Sequence, residues 1–75
     1  MKYNFSKLKG KITEVCGTQK EFAKRIDIEP TTLSNKINGN SCFNVKEIEK
    51  AIVVLGIDRA DIIEYFLTPE VQHEH

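Results

Sequence analysis

The apolar residues of this chain recur at intervals of three and four, the spacing that places side chains on one face of an α-helix. A first helix is predicted from about Ser6 to Val15. Its apolar face is the set Phe5, Leu8, Ile12 and Val15. No segment alternates apolar and polar residues over several positions, so the pattern predicts an all-α fold without strands.

The stretch from residue 18 to residue 39, TQKEFAKRIDIEPTTLSNKING, predicts a helix, a tight turn and a second short helix. Thr18 and Glu21 have the spacing of a capping box at the start of helix 2. The turn at Asp27 calls for a positive φ, which glycine adopts most easily and aspartate tolerates. Helix 3 then runs from Pro30 to about Asn38.

Two further helices are predicted after a polar loop. Asn44 caps helix 4, with Glu47 at capping-box spacing, and Gly56 ends it. Its core stripe is expected to be Val45, Ile48, Ile52 and Leu55. Helix 5, from near Asp58 to about Leu67, holds more apolar residues than one buried face can take. We therefore predict a dimer or partner interface on helices 4 and 5, formed by Val54, Ile57, Ile63 and Phe66.

A chain of 75 residues makes a single domain. We assign that domain to residues 1–67 and expect residues 68–75 to be a flexible polar tail. No apolar run approaches the length of a membrane span and no signal-peptide pattern is present, so a soluble cytoplasmic protein is expected. The two cysteines are expected to be reduced.

The net charge of zero conceals an asymmetry. Residues 1–40 carry +4 and residues 41–75 carry −4, when lysine and arginine are set against aspartate and glutamate. A basic half and an acidic half fit a face that binds a polyanion and a back that does not.

Catalytic chemistry is not expected. The sequence offers no paired carboxylates, nucleophile–base pair or phosphate-binding loop, so we predict neither an enzyme nor a cofactor nor a small-molecule substrate. His73 and His75 stand close together near the end but lack a third ligand, so no metal site is predicted.

The central motif resembles that of lambda-repressor-like helix-turn-helix regulators. The features that match, over about residues 5–67, are Thr18-Gln19, the apolar Phe22, Ala23, Ile26 and Ile28, Thr-Leu-Ser at 32–34, Asn38-Gly39, VLGI at 54–57 and the closing EYFL. The opening MKYNFSKLKGKI and closing IIEYF are similar to small phage Cro-like and modulator-of-repression proteins of Gram-positive hosts. The chain departs from the family at Asp27, where glycine is usual, and at Ile37, which follows Leu33 by four residues rather than three.

The resemblance implies a compact five-helix domain with helix 3 in the major groove of double-stranded DNA. Asn35 is expected to read adenine, and Thr31 to contact a thymine methyl group or a phosphate. Ser34 and Pro30 complete the expected base contacts. The expected phosphate contacts are Gln19, Thr18, Thr32, Lys36, Asn38 and Asn40.

Two functions of different classes follow. The first is a Cro-like transcriptional regulator that binds a two-fold operator as a homodimer. The second is a modulator or antirepressor that binds a partner phage repressor through helices 4 and 5. The first is the leading hypothesis. Lys36 is the sole charged residue within 30–38, a weak electrostatic footprint for DNA, and this observation supports the second as an alternative. An antitoxin of the same fold is a further alternative.

Overall fold

A computed structural model describes residues 3–68, and within them the chain forms five α-helices and no β-strand. The helices are α1 (Ser6–Cys16), α2 (Gln19–Arg25), α3 (Pro30–Ile37), α4 (Val45–Leu55) and α5 (Ile62–Phe66), with a 3-10 turn at Arg59–Asp61 before α5. The predicted all-α fold with five helices is confirmed. The predicted fifth helix is shorter than expected, because its first turn is the 3-10 turn.

The core lies between α1, α2, α3 and α4. Its centre consists of side chains with no exposed surface: Leu8, Ile12, Phe22, Ala23, Ile26, Leu33 and Ala51. Complete burial of a large apolar side chain stabilises the folded state by about 1.5–3 kcal/mol. The central helices are therefore held by the residues whose spacing predicted them.

Two valines expected in the core are exposed instead. Val45 is the first residue of α4 and is 72% exposed. It lies about 70° around the helix from the centre of the buried face, and it precedes the turns that pack on the core. Val15 is 36% exposed, whereas its neighbour Cys16 packs against the core in the last turn of α1.

The turn between α2 and α3 has the conformation that the sequence predicted. Asp27 has a φ of 62°, and no other non-glycine residue among the described ones has a positive φ. The Asp27 N–H donates to the Lys24 carbonyl at 3.3 Å, and the Ile28 N–H donates to the Ala23 carbonyl at 3.0 Å. These bonds bring Ile28 back onto the core, where it is half-buried.

The fifth helix is attached through a row of aromatic rings. Phe43, in the loop before α4, meets Phe5 at a ring-centroid distance of 5.6 Å and Phe66 at 5.4 Å, both edge to face. Such pairs contribute about 0.5–1.5 kcal/mol beyond the burial of their surface. The Asn4 N–H also donates to the Thr68 carbonyl at 2.7 Å, which ties the chain before α1 to the chain after α5.

The predicted tail begins at Thr68. Thr68 itself is described, and its hydroxyl donates to the Glu64 carbonyl at 2.7 Å. The remainder of the predicted tail, residues 69–75, lies outside the described residues.

Candidate interaction surfaces

The outward side of α3 presents the short polar side chains expected from the sequence. Pro30, Thr31, Thr32 and Asn35 are exposed, and Ser34 is half-buried. They lie outward because Leu33 and Ile37 turn the opposite side of the helix into the core. This outer α3 face, defined as Pro30, Thr31, Thr32, Ser34 and Asn35, can offer hydroxyl and amide groups to a partner, but it carries no charge.

The residues around α3 that were predicted to contact phosphate differ in their exposure and in their hydrogen bonds. Gln19 and Asn40 are exposed. The Thr18 hydroxyl accepts from the Glu21 N–H at 3.1 Å, so it caps α2 as predicted. The Glu21 carboxylate accepts from Arg25 at 2.9 Å instead of completing the box. The exposed Asn38 donates from its side-chain amide to the Ser34 hydroxyl at 3.4 Å.

The structure does not place the Lys36 side chain where the predicted phosphate contact needs it. The expected phosphate contact needs a solvent-facing ammonium group, whereas Lys36 is only 9% exposed. Its Nζ donates to the Glu47 carboxylate at 2.7 Å and to the Cys42 carbonyl at 2.9 Å. The ammonium group also lies 5.9 Å from the centroid of the Phe43 ring. The charge is therefore directed into the α3–α4 junction, because the following loop brings Glu47 beneath the last turn of α3.

Glu47 has two partners at this junction. Its carboxylate accepts from Lys36 and from the Asn44 N–H at 2.9 Å, and the Asn44 side chain accepts from the Glu47 N–H at 2.8 Å. The capping box predicted for α4 is thus complete. Burial alone would raise the pKa of Glu47, but the hydrogen bonds from Lys36 and Asn44 and the positive charge of Lys36 outweigh it and lower that pKa.

The predicted interface on helices 4 and 5 divides into buried and exposed members. Ile57 and Phe66 are 8% and 2% exposed and belong to the core, so they cannot form a surface patch. Phe66 is buried because Phe43, distant in sequence, lies against its ring. Val54 is half-buried, and Ile63 is 68% exposed. Only these two fit the predicted interface.

The predicted interface leaves out Val53, which is 80% exposed, the largest value among the large apolar residues described. Val45, Glu49 and Val53 follow one another at intervals of four and therefore form one exposed ridge along α4. Val53 and Val54 line a shallow, largely apolar groove, and its other lining residues are charged: Arg25, Asp27, Glu49 and Lys50. Ile63 does not line this groove, but it is exposed on α5. We refer to Val53, Val54 and Ile63 together as the α4–α5 surface. Val53 could have been found from the sequence, because it lies more than 90° from the core stripe of α4.

Two ion pairs lie near the α4–α5 surface. Arg59 donates to Glu49 at 3.0 Å, which joins the 3-10 turn to the exposed ridge of α4. On α2, Arg25 donates to Glu21 at 2.9 Å. Exposed pairs of this kind contribute about 0–1 kcal/mol to stability. Together with their neighbours, these pairs place charges of both signs beside Val53 and Val54.

Among the described residues, no group of three or more His, Cys, Asp or Glu could hold a metal ion, and His73 and His75 lie outside the described range. Cys16 and Cys42 are free thiols, as predicted. In the described part of the chain, no helix has the length and apolar character needed to cross a membrane.

The described residues therefore form a small all-α protein of five helices, with a polar outer α3 face and exposed apolar residues on α4 and α5. Its structure is similar to the solution structure of the modulator of repression (MOR) of the temperate bacteriophage TP901-1 from Lactococcus lactis. The TM-score is 0.79 and the sequences are 42% identical, over 96% of this chain and 97% of that chain. No curated protein matches the chain. Residues 1–69 match a family of proteins of unknown function, DUF739, and the chain belongs to that family.

Proposed function

We propose that this protein modulates repression in a temperate phage by binding the repressor protein directly, through the α4–α5 surface. The role is non-catalytic. Similarity to a modulator of repression over nearly the full length of both chains supports the regulatory context. The structure supports a protein, rather than an operator, as the primary partner.

The observation that carries this proposal is the contrast between the charge on α3 and the apolar exposure of α4 and α5. Lys36, the sole charged residue of α3, is neutralised by Glu47. Contacts of lysine and arginine side chains with DNA phosphates supply a large part of the affinity of proteins for DNA. The outer α3 face carries no charge, so it lacks this source of affinity. In contrast, Val53 and Ile63 expose apolar surface whose removal from water favours association by about 25 cal/mol per Å².

The test is calorimetric titration of the purified protein with the repressor encoded by the same genome. Val53→Asp should weaken binding by roughly tenfold or more, because a carboxylate would have to be desolvated at the centre of an apolar contact. Thr31→Asp is the matched control, since it places the same carboxylate at an exposed position on the outer α3 face. It should bind the repressor as the unmodified protein does.

The opposite pattern, in which Thr31→Asp abolishes repressor binding and Val53→Asp leaves it unchanged, would assign the repressor contact to α3. Absence of any heat or complex with the unmodified protein would overturn the proposal itself.

We propose direct operator contact by a homodimer as the second candidate function. The observation that favours it is the exposure of Thr31 and Asn35 on the outward side of a helix that begins with proline. Asn35→Ala should then flatten the base preference at one or two positions, with a loss of about 1–3 kcal/mol of discrimination at each. Gel-shift titrations on the DNA upstream of its own gene, with and without the repressor, distinguish the two candidates. DNA binding that requires the repressor supports the first.

A further inference from the structure

The α3–α4 junction holds a negative charge that the capping box does not require. A capping box needs a side-chain acceptor at its fourth position, and glutamine serves there as well as glutamate. Glu47 fills this role through a single oxygen, which accepts from Asn44 and also from Lys36. The negative charge of Glu47 is therefore not needed for the capping box, and its effect is to attract the Lys36 ammonium group.

Three neighbouring groups hold the Lys36 ammonium group at the α3–α4 junction. Its ammonium group contacts Glu47, the Cys42 carbonyl and the Phe43 ring. On the helix, Lys36 follows Thr32 by one turn, so its Cα lies on the flank of the outer α3 face. A lysine stem is long enough to bring its ammonium group from that flank into water.

Release of Lys36 would change what α3 can bind. The outer α3 face already exposes Thr31, Thr32 and Asn35, which can donate hydrogen bonds to phosphate or to base edges. One cation beside them would supply a phosphate contact, and each such contact adds a salt-dependent increment to DNA affinity.

We propose that Glu47 sets the binding specificity of this protein, because it withdraws the Lys36 charge from α3 and thereby suppresses binding to nucleic acid. The inference rests on the proposed function, since it accounts for a chain that meets a repressor without being held on DNA. Glu47 acts here through Lys36 and has no contact with the ligand. A latent nucleic-acid surface thus remains on α3, and a single carboxylate masks it.

Glu47→Gln is the informative variant, because it keeps the acceptor for Asn44 and removes only the charge. The probe is a fluorescein-labelled DNA duplex of generic sequence, without repressor, measured by anisotropy at several salt concentrations. Glu47→Gln should bind roughly three- to tenfold more tightly than the unmodified protein at low salt, with a salt slope steeper by about one. Addition of Lys36→Met to that variant should abolish the gain.

Glu49→Gln is the matched control. It removes the same charge from the same helix and releases Arg59, but that cation lies beside α4 and not beside α3. It should leave duplex affinity within about twofold of the unmodified protein, since no phosphate contact is created on α3. Equal gains in Glu47→Gln and Glu49→Gln, or a gain that survives Lys36→Met, would overturn the proposal.

Two measurements keep the test decisive if Glu47→Gln does not fold. Lys36→Met alone should bind the duplex as the unmodified protein does, whereas a loss would mean that Lys36 already contacts phosphate. In the unmodified protein, acetic anhydride should label Lys36 several-fold more slowly than the exposed Lys24, and equal labelling would contradict the masking. Because none of these assays contains repressor, their failure is separate from failure of the proposed function.

Discussion

The α2–α3 unit, which comprises residues 19–37, differs from helices α4 and α5 in the side chains that it exposes to water. In α2 and α3, Phe22, Ile26 and Leu33 are fully buried, and the outward side is polar. In α4 and α5 the core is equally apolar, but Val53 and Ile63 remain in water. The apolar residues of the helix-turn-helix resemblance, such as Phe22, Ala23 and Ile26, are thus buried and specify the fold. Function depends on outward side chains, which the packing of the core does not determine.

The largest expected effect separates core from surface within α5. Phe66→Ala should destabilise the protein by about 3–5 kcal/mol, since it leaves a cavity beside the Phe43 ring. Ile63→Ala, on the same helix but 68% exposed, should change stability by no more than about 0.5 kcal/mol. Urea denaturation of both variants makes the comparison. Similar losses would mean that Ile63 is packed and the α4–α5 surface is drawn wrongly.

A smaller effect compares the caps of the two regions. Asn44→Ala removes a reciprocal capping box and the anchor of Glu47, so we expect a loss of about 1–2 kcal/mol. Thr18→Ala removes a single capping bond at α2 and should cost about 0.5–1 kcal/mol. Denaturant midpoints with unchanged slopes provide the measurement. A greater loss for Thr18→Ala would reverse the order of cap strengths that we infer from the hydrogen bonds.

The turn of the α2–α3 unit is expected to gain from substitution. Asp27→Gly should raise stability by about 0.5–1 kcal/mol, because glycine adopts the φ of 62° without a Cβ clash. The extra chain entropy of glycine in the unfolded state offsets part of the gain. Thermal melting at a fixed protein concentration measures it. Gly17→Ala is the complementary variant, which should be destabilised since Gly17 has a φ of 85°.

The smallest expected effect is a pH dependence located at the junction of the two regions. The pKa of Glu47 is lowered in the folded protein, so its contribution to stability is complete above its usual value of 4.5 and is lost as the pH falls through the lowered value. Thermal melts from neutral pH to about pH 3 should therefore fall more steeply for the unmodified protein than for Glu47→Gln. Parallel curves would show that the Lys36–Glu47 pair has no net effect on stability.

Much of the fold could be predicted from the sequence, because helix periodicity and capping are local. The Asn44–Glu47 box, the start of α3 at Pro30 and the positive φ of Asp27 each depend on residues within a few positions. The fifth helix is shorter than the sequence predicts, because that prediction also depends only on local signals. Asp58 caps a 3-10 turn in the structure, and an apolar sequence does not distinguish a 3-10 turn from an α-helical one.

The candidate site was harder to predict, because burial depends on residues distant in sequence. A helical projection places Lys36 at the edge of α3, but Glu47 meets it only after a loop has reversed the chain. In the same way, the sequence pattern predicts Phe66 at the surface, whereas in the structure the Phe43 ring lies against it. Thr31 and Asn35 have the predicted exposure, and their proposed contacts with DNA remain predictions.

The hydrogen bond from Asn4 to Thr68 has a practical consequence for protein engineering. The two ends of the described chain meet beside Tyr3 and Leu67, on one side of the molecule. A circular permutant that joins these ends through a short glycine linker and opens the chain in the exposed loop at residues 39–42 should therefore keep all five helices.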